Sequence, residues 1–351
     1  MSKYLSRKYE SLVPYTPGEQ PKERKFIKLN TNESPFPPSA KAVEYASRAA
    51  ESLQLYSDPE CTPLHAKFAE ACGVTPDMVL ATNGSDEILN FAFMAFCDKD
   101  TPAVFADITY GFYSVFAEIN SLPARVIPLK DDFTVNIEDY FNAKGTIFIA
   151  NPNAPTGIAL TRNEIELVLK NNPNNVVVID EAYVDFGGES CIPLIEKYDN
   201  LLVTQTFSKS RSMAGARLGF GIGSKALIAD LRTIKYSTNP YNINSMTMAA
   251  GIGQLEDEET TRKNCKIIAE NRDFLTSELR SLGFDVTDSK TNFVFAKSDK
   301  IGGADLYSAL RERGILVRHF TAEKIADYNR ITVGTRDQVD ALLGAIKDIL
   351  S

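Results

Sequence analysis

Lys209 lies in Thr204-Gln205-Thr206-Phe207-Ser208-Lys209, just after the apolar run Leu201-Leu202-Val203, and Arg217 follows eight positions later. The apolar run reads as a buried strand, so the lysine stands where that strand ends. A lysine kept partly desolvated can form an imine with a carbonyl group. Ser208 and Arg217 add a hydroxyl donor and a forked cation, which together suit a phosphate. Three further segments carry compatible chemistry. Val176-Val177-Val178-Ile179 is a second apolar strand and ends in Asp180, where a carboxylate can pair with a protonated ring nitrogen. Ile147-Phe148-Ile149-Ala150 runs into an Asn/Pro/Gly turn, 151–157. Gly84, Ser85 and Asp86 open an apolar helix pattern, and free backbone N–H groups at a helix start form an anion site. Singly, each has a plain structural reading: a surface lysine, a turn aspartate, a helix cap. Together they are hard to dismiss.

An imine-forming lysine with a phosphate grip and a strand-end acid suggests pyridoxal 5′-phosphate (PLP) as cofactor. The set Asn83–Glu87 (NGSDE), Asn151–Gly157 (NPNAPTG), Val178–Tyr183 (VIDEAY), Ser208-Lys209 with Arg217, and Arg330–Thr335 (RITVGT) resembles the fold-type I, class-II PLP-dependent aminotransferases. Within them the chain is most similar to the histidinol-phosphate aminotransferases, with supporting marks at Val13-Pro14-Tyr15, Leu29–Pro35 and Tyr56–Pro59. The similarity runs from about residue 12 to the C-terminus.

The resemblance implies roles. Lys209 would be the Schiff-base lysine and proton shuttle, Asp180 would hold the pyridinium proton, and Tyr183 would donate to the phenolic oxygen of the ring. Tyr110 would stack on the ring face. Ser208, Arg217 and the amides of Gly84, Ser85 and Asp86 would cradle the phosphate, with Thr206 beside them. Tyr56 would reach the neighbouring active site of a homodimer. Arg318 and Arg330 would take the anionic group of the substrate, and Tyr15 and Asn32 belong to the arm that covers it. The chain departs from the family at one cofactor contact. Ala154 stands where the family has Asn before Pro-Thr-Gly, so Tyr183 would keep the remaining ring-oxygen contact while Asn153, one place earlier, either takes over the missing one or points elsewhere.

The rest of the chain must position these residues. Its 351 residues suffice for more than one domain, and 44% hydrophobic with 24% charged residues is ordinary for a globular protein. A net charge of −8 argues against a nucleic-acid surface, and no apolar run is long enough to span a bilayer. Five cysteines without CxxC spacing read as free thiols, giving no metal site and a cytoplasmic expectation. With only two histidines, a Ser-His-Asp triad is not expected, and His65 reads as a surface or packing residue. Strands at 79–82, 103–106, 125–127, 146–150, 176–179, 201–204 and 218–222 alternate with helical patterns. They predict an α/β large domain with a mostly parallel seven-stranded sheet. Residues 256–351 predict a small α+β domain with a strand over 315–318, residues 36–255 the PLP-binding domain, and 1–35 an arm with little regular structure.

The function implied is transfer of an amino group between histidinol phosphate and 2-oxoglutarate. An aromatic aminotransferase or a threonine-phosphate decarboxylase would share these motifs. A non-catalytic aminotransferase-like regulator is opposed by Lys209 and by the absence of room for a helix-turn-helix before the fold.

Overall fold

The arm is mostly irregular, but it ends in a short strand, β1 (Ile27–Lys28), which pairs with a strand near the C-terminus. Two helices follow, α1 (Ala40–Ala49), capped by the Ser39 side chain, and α2 (Thr62–Cys72), which ends on left-handed Gly73. The computed structural model describes residues 2–351.

The central sheet is assembled from β2 (Val79–Thr82), β3 (Ala103–Ala106), β4 (Ala124–Ile127), β5 (Thr146–Ala150), β6 (Val177–Asp180), β7 (Leu201–Thr206) and β8 (Gly219–Gly223). Interleaved are α3 (Ser85–Phe96), α4 (Phe112–Ile119) and α5 (Arg162–Lys170), the last closed by a Thr161/Glu164 capping box. Spatial order is β2-β8-β7-β6-β5-β3-β4, and β8 alone runs antiparallel to its neighbours. Every residue of β2, β3, β5, β6, β7 and β8 is buried. Such strands must be apolar on both faces, which explains their continuous hydrophobic runs. The edge strand β4 is exposed along most of its length.

After β8 come α6 (Lys225–Thr238), α7 (Ser245–Leu255) and the long α8 (Glu258–Ser281). The remainder is β9 (Phe284–Val286), β10 (Phe293–Ser298), α9 (Gly303–Glu312), β11 (Ile315–Leu316), β12 (Arg318–His319), β13 (Asn329–Thr332) and α10 (Arg336–Leu350). A second, antiparallel sheet has the order β12-β13-β10-β9. The strand expected over 315–318 is in fact two. Ile315–Leu316 pairs with β1 and Arg318–His319 with β13, so the chain changes partner at buried Val317. This break couples the arm to the small sheet. A cluster of Phe133, Phe295, Ile325 and Tyr328 packs between the two sheets. His65 is a packing residue: it is buried, and its Nε2 accepts the Ala81 N–H at 2.9 Å. The five cysteines are free, and no described helix is long and apolar enough to cross a membrane.

Candidate active site

Parallel strands in an open α/β sheet end together, and ligands bind where they end. Here the ends of β3, β5, β6 and β7 open into a cavity of about 470 Å³, closed on its far side by the arm and the small sheet. Lys209, three residues beyond β7, lines it. Its Nζ donates to the Thr31 carbonyl at 3.3 Å and lies 5.8 Å from the Tyr183 ring centre. The arm therefore supplies the present partner of the lysine.

Asp180, the last residue of β6, is 4% exposed. Its Oδ2 accepts from the Tyr113 hydroxyl at 3.1 Å. Its Oδ1 accepts from the Ala182 N–H at 3.2 Å and, at 3.4 Å, from Thr204 Oγ1. Burial pushes its pKa up to about 6, against the opposing bonds from Tyr113 and Ala182. Glu181 lies next to it in sequence but not in the cavity lining, and it takes bonds from the Cys191 N–H, Ser190 and Gln205.

A polar cradle forms where β7, α3 and the start of β8 meet. Thr206 Oγ1 donates to Ser208 Oγ at 3.1 Å, and the Arg217 Nη1 reaches Ser208 at 3.5 Å. Arg217 is held by Asp86 at 2.9 Å, and the other oxygen of Asp86 takes the Tyr110 hydroxyl at 2.6 Å. Two glycines make this meeting possible. Gly84 has φ +79°, and a Cβ there would stand 2.6 Å from Arg217 Nη2. A Cβ on Gly219 would stand 2.4 Å from the Ser85 nitrogen. Ser85 and Asp86 open α3, so their amides belong to the unpaired first turn.

The small sheet and the arm contribute the other wall. Asn32 sits at φ +56° and is fixed on all sides. Its Nδ2 donates to Tyr183 Oη, its Oδ1 accepts from Thr332, and its carbonyl accepts from Asn292, each at 2.9 Å. Tyr15 stacks on Phe112 with ring centres 4.3 Å apart. Arg318 spends two donors on the arm carbonyls of Thr16 and Pro17, at 3.0 and 3.3 Å. Arg330 is different. It is half-buried against the rings of Phe293 and Phe320, bonds to the Asn30 carbonyl at 3.2 Å, and its buried Nε has no partner among the described residues. Burial lowers its pKa.

Two expected residues stand elsewhere. Asn153, one candidate for the missing ring-oxygen contact, does not line the cavity. Its amide is spent on the Ile108 carbonyl and Thr156, and its oxygen on Thr109. Ala154 occupies the lining instead, so no amide is offered at that point. Tyr56 is 83% exposed and stacks on Tyr241 at 4.7 Å, outside the cavity. Sequence reasoning missed Tyr113, Asn292, Phe320 and the Asp107–Lys324 ion pair (2.8 Å) that ties the β3 end to the turn before β13. A second tyrosine one helical turn after Tyr110 was the only available signal, and in an aromatic-rich helix it reads as core.

The comparisons with known proteins agree with this architecture. The sequence profile described as "Aminotransferase class I and II" matches residues 24–346. A histidinol-phosphate aminotransferase of Brachyspira hyodysenteriae is 47% identical over 356 residues, covering 100% of this chain and 99% of that protein. Histidinol-phosphate aminotransferase 1 of Bordetella parapertussis is 47% identical over 355 residues, with 100% of both chains covered. Among solved structures, the histidinol-phosphate aminotransferase of Sinorhizobium meliloti in complex with pyridoxal-5′-phosphate superposes with a TM-score of 0.89. That match covers 100% of this chain and 98% of the other at 21% identity, and so speaks to the fold. A strand-end lysine and aspartate, a glycine-gated cradle, a profile match over residues 24–346 and relatives 47% identical over the whole chain leave one placement: the chain belongs to the class I and II aminotransferases.

Proposed function

We propose that the chain transfers the amino group of histidinol phosphate to 2-oxoglutarate, with PLP as cofactor. The observation that carries the substrate reading is Arg330, a half-buried arginine that lines the cavity and whose buried Nε has no partner among the described residues. Burying such a charge is costly unless an anion arrives to pair with it. A phosphate or a carboxylate matches its fork, so one group could receive either substrate. The name borne by relatives 47% identical over their whole length supports the same choice.

The residues fit the cofactor. Gly84 and Gly219 leave the space, the α3 amides with Ser208 and Arg217 supply phosphate donors, and Asp180 offers a buried carboxylate. Bound PLP supplies an electron sink and a carbonyl carbon. Asp180 would hold a proton on the ring nitrogen, and Tyr183 would donate its hydroxyl to the ring oxygen. Lys209 Nζ would take and return the α-proton of the substrate, a task for which no histidine lines the cavity. Tyr110 and Tyr15 both line the cavity, where their rings would exclude water.

Three coarser readings belong with this one. Residues 1–35 act as a cover, 36–255 as the cofactor domain, and 256–351 as the small domain. The exposed Tyr56, stacked on Tyr241 and near exposed Leu53 and Leu55 in sequence, reaches a second copy of the chain in a homodimer. The protein works in the cytoplasm on small molecules, without nucleic acid or membrane. Purified holoenzyme given histidinol phosphate, phenylalanine or threonine phosphate, each with 2-oxoglutarate, tests the function. Glutamate should form fastest with histidinol phosphate. Faster transfer from phenylalanine, or carbon dioxide release from threonine phosphate, overturns it.

A further inference from the structure

Tyr113 and Tyr110 are separated by one turn of chain and serve different sides of the site. Tyr110 lines the cavity. Tyr113 does not: it is 0% exposed and stands behind Asp180, among the rings of Phe93, Phe105, Tyr110 and Phe148. Tyr110 meets it edge-on, 5.8 Å between centres at 88°. The one described hydrogen bond of its hydroxyl goes to Asp180 Oδ2, at 3.1 Å.

A buried tyrosine needs a partner for its hydroxyl, and this one is given a carboxylate. The benefit runs both ways. Oδ1 of Asp180 has a backbone donor at 3.2 Å and only a long contact to Thr204, so Tyr113 supplies the sole described donor to Oδ2. A carboxylate in an apolar setting stays charged only if hydrogen bonds or cations stabilise the charge. The charged or titratable groups facing Asp180 are Tyr113 and Tyr110 on the α4 side and Asp86 from α3, whose own charge works against ionisation of Asp180. Arg217 offsets that charge by pairing with Asp86 at 2.9 Å. Lys209 and Tyr183 share the cavity.

We propose that Tyr113 is a positioning residue for the amino-transfer reaction, orienting the Asp180 carboxylate from behind and keeping it anionic for a cationic ring nitrogen at the cavity face. This rests on the reading of Asp180 given above. The direction of the effect follows from the bond. A donor to the charged form lowers the pKa, so its removal raises the pKa of Asp180 and protonates it at higher pH. Consistent with this, the Tyr113 bond is the foremost of the influences that lower the Asp180 pKa from where burial would leave it.

Tyr113→Phe removes one oxygen and keeps the ring in its cage. The test is the dissociation constant of PLP for the full-length protein, measured by equilibrium dialysis across acid to mildly basic pH. The acidic limb of binding should move up by about one pH unit, so that the constant rises about tenfold at pH values below the limb and about twofold at neutral pH. Thr204→Val, which removes the longer contact, should move the limb in the same direction by less, and it reads the same point if Tyr113→Phe does not fold. Phe148→Leu loosens the cage without touching the hydroxyl and should leave the limb in place. Asp180→Asn should erase the limb. If Asp180→Asn erases it while Tyr113→Phe leaves it unmoved, or if Phe148→Leu moves it as far as Tyr113→Phe, the role of Tyr113 is overturned. If Asp180→Asn leaves it intact, the limb belongs to another group and the reading of Asp180 falls as well.

Discussion

Of the three arginines that line the cavity, Arg217 and Arg330 stand in opposite electrostatic states. Arg217, at φ +55° before β8, has a side chain 46% exposed and is paired with Asp86 at 2.9 Å. Arg330, on β13, is half-buried, faces two phenylalanine rings and has a buried Nε without a partner among the described residues. An arginine with its own carboxylate keeps its place whether or not a ligand is bound, which suits a resident group. A half-buried arginine without one bears a desolvation cost that an incoming anion relieves, which suits a group that comes and goes. The large sheet thus carries the preset grip and the small sheet the waiting one. Lys209 lines the cavity between these two contributions.

That contrast can be broken in order of expected effect. Lys209→Ala should abolish turnover while leaving both grips in place, so PLP and substrate should still bind in equilibrium dialysis. Loss of binding as well would mean that the arginines do not act independently of the lysine. Arg330→Leu should weaken histidinol phosphate and glutamate alike, by about 1.5–3 kcal/mol, seen in substrate titrations at saturating PLP. Its ligand-free melting temperature should hold or rise, because a half-buried charge with no carboxylate partner has gone. Arg217→Leu should do the reverse: PLP is lost more easily on dialysis, while substrate binding at saturating PLP is little changed. A smaller effect is expected at the departure from the family. Ala154→Asn should lower the pH at which the absorbance of the bound cofactor changes, since it adds a donor to the ring oxygen. Asn153→Ala should leave that pH alone and lower only thermal stability, because Asn153 serves the loop.

Legibility followed the same division. The central strands were readable because burial on both faces forces apolar runs, as in Ile147–Ala150 and Leu201–Val203. Lys209, Asp180 and Arg217 could be singled out because each stands at a strand end or next to a strand with its chemistry in local sequence. The short strand Phe284–Val286 and the split at Val317 were not readable. Both depend on which distant segment offers a hydrogen-bonding edge, and two- or three-residue strands have no period to detect. Tyr113 escaped for a related reason. Its role comes from a contact 67 positions away, and nothing near it in sequence marks an aromatic that faces a carboxylate. For Asn153 the sequence left two alternatives, the ring or elsewhere, because only the folded turn shows that its amide is used by Ile108 and Thr156.

The most direct measurement compares histidinol phosphate with histidinol, which lacks the phosphate, as ligands of the wild type and of Arg330→Leu. Wild-type holoenzyme should bind the phosphorylated compound at least about tenfold more tightly, and that preference should largely disappear in the variant. A preference of the same size in both proteins would show that Arg330 does not receive the phosphate, and would contradict the assignment of the waiting grip to the small sheet.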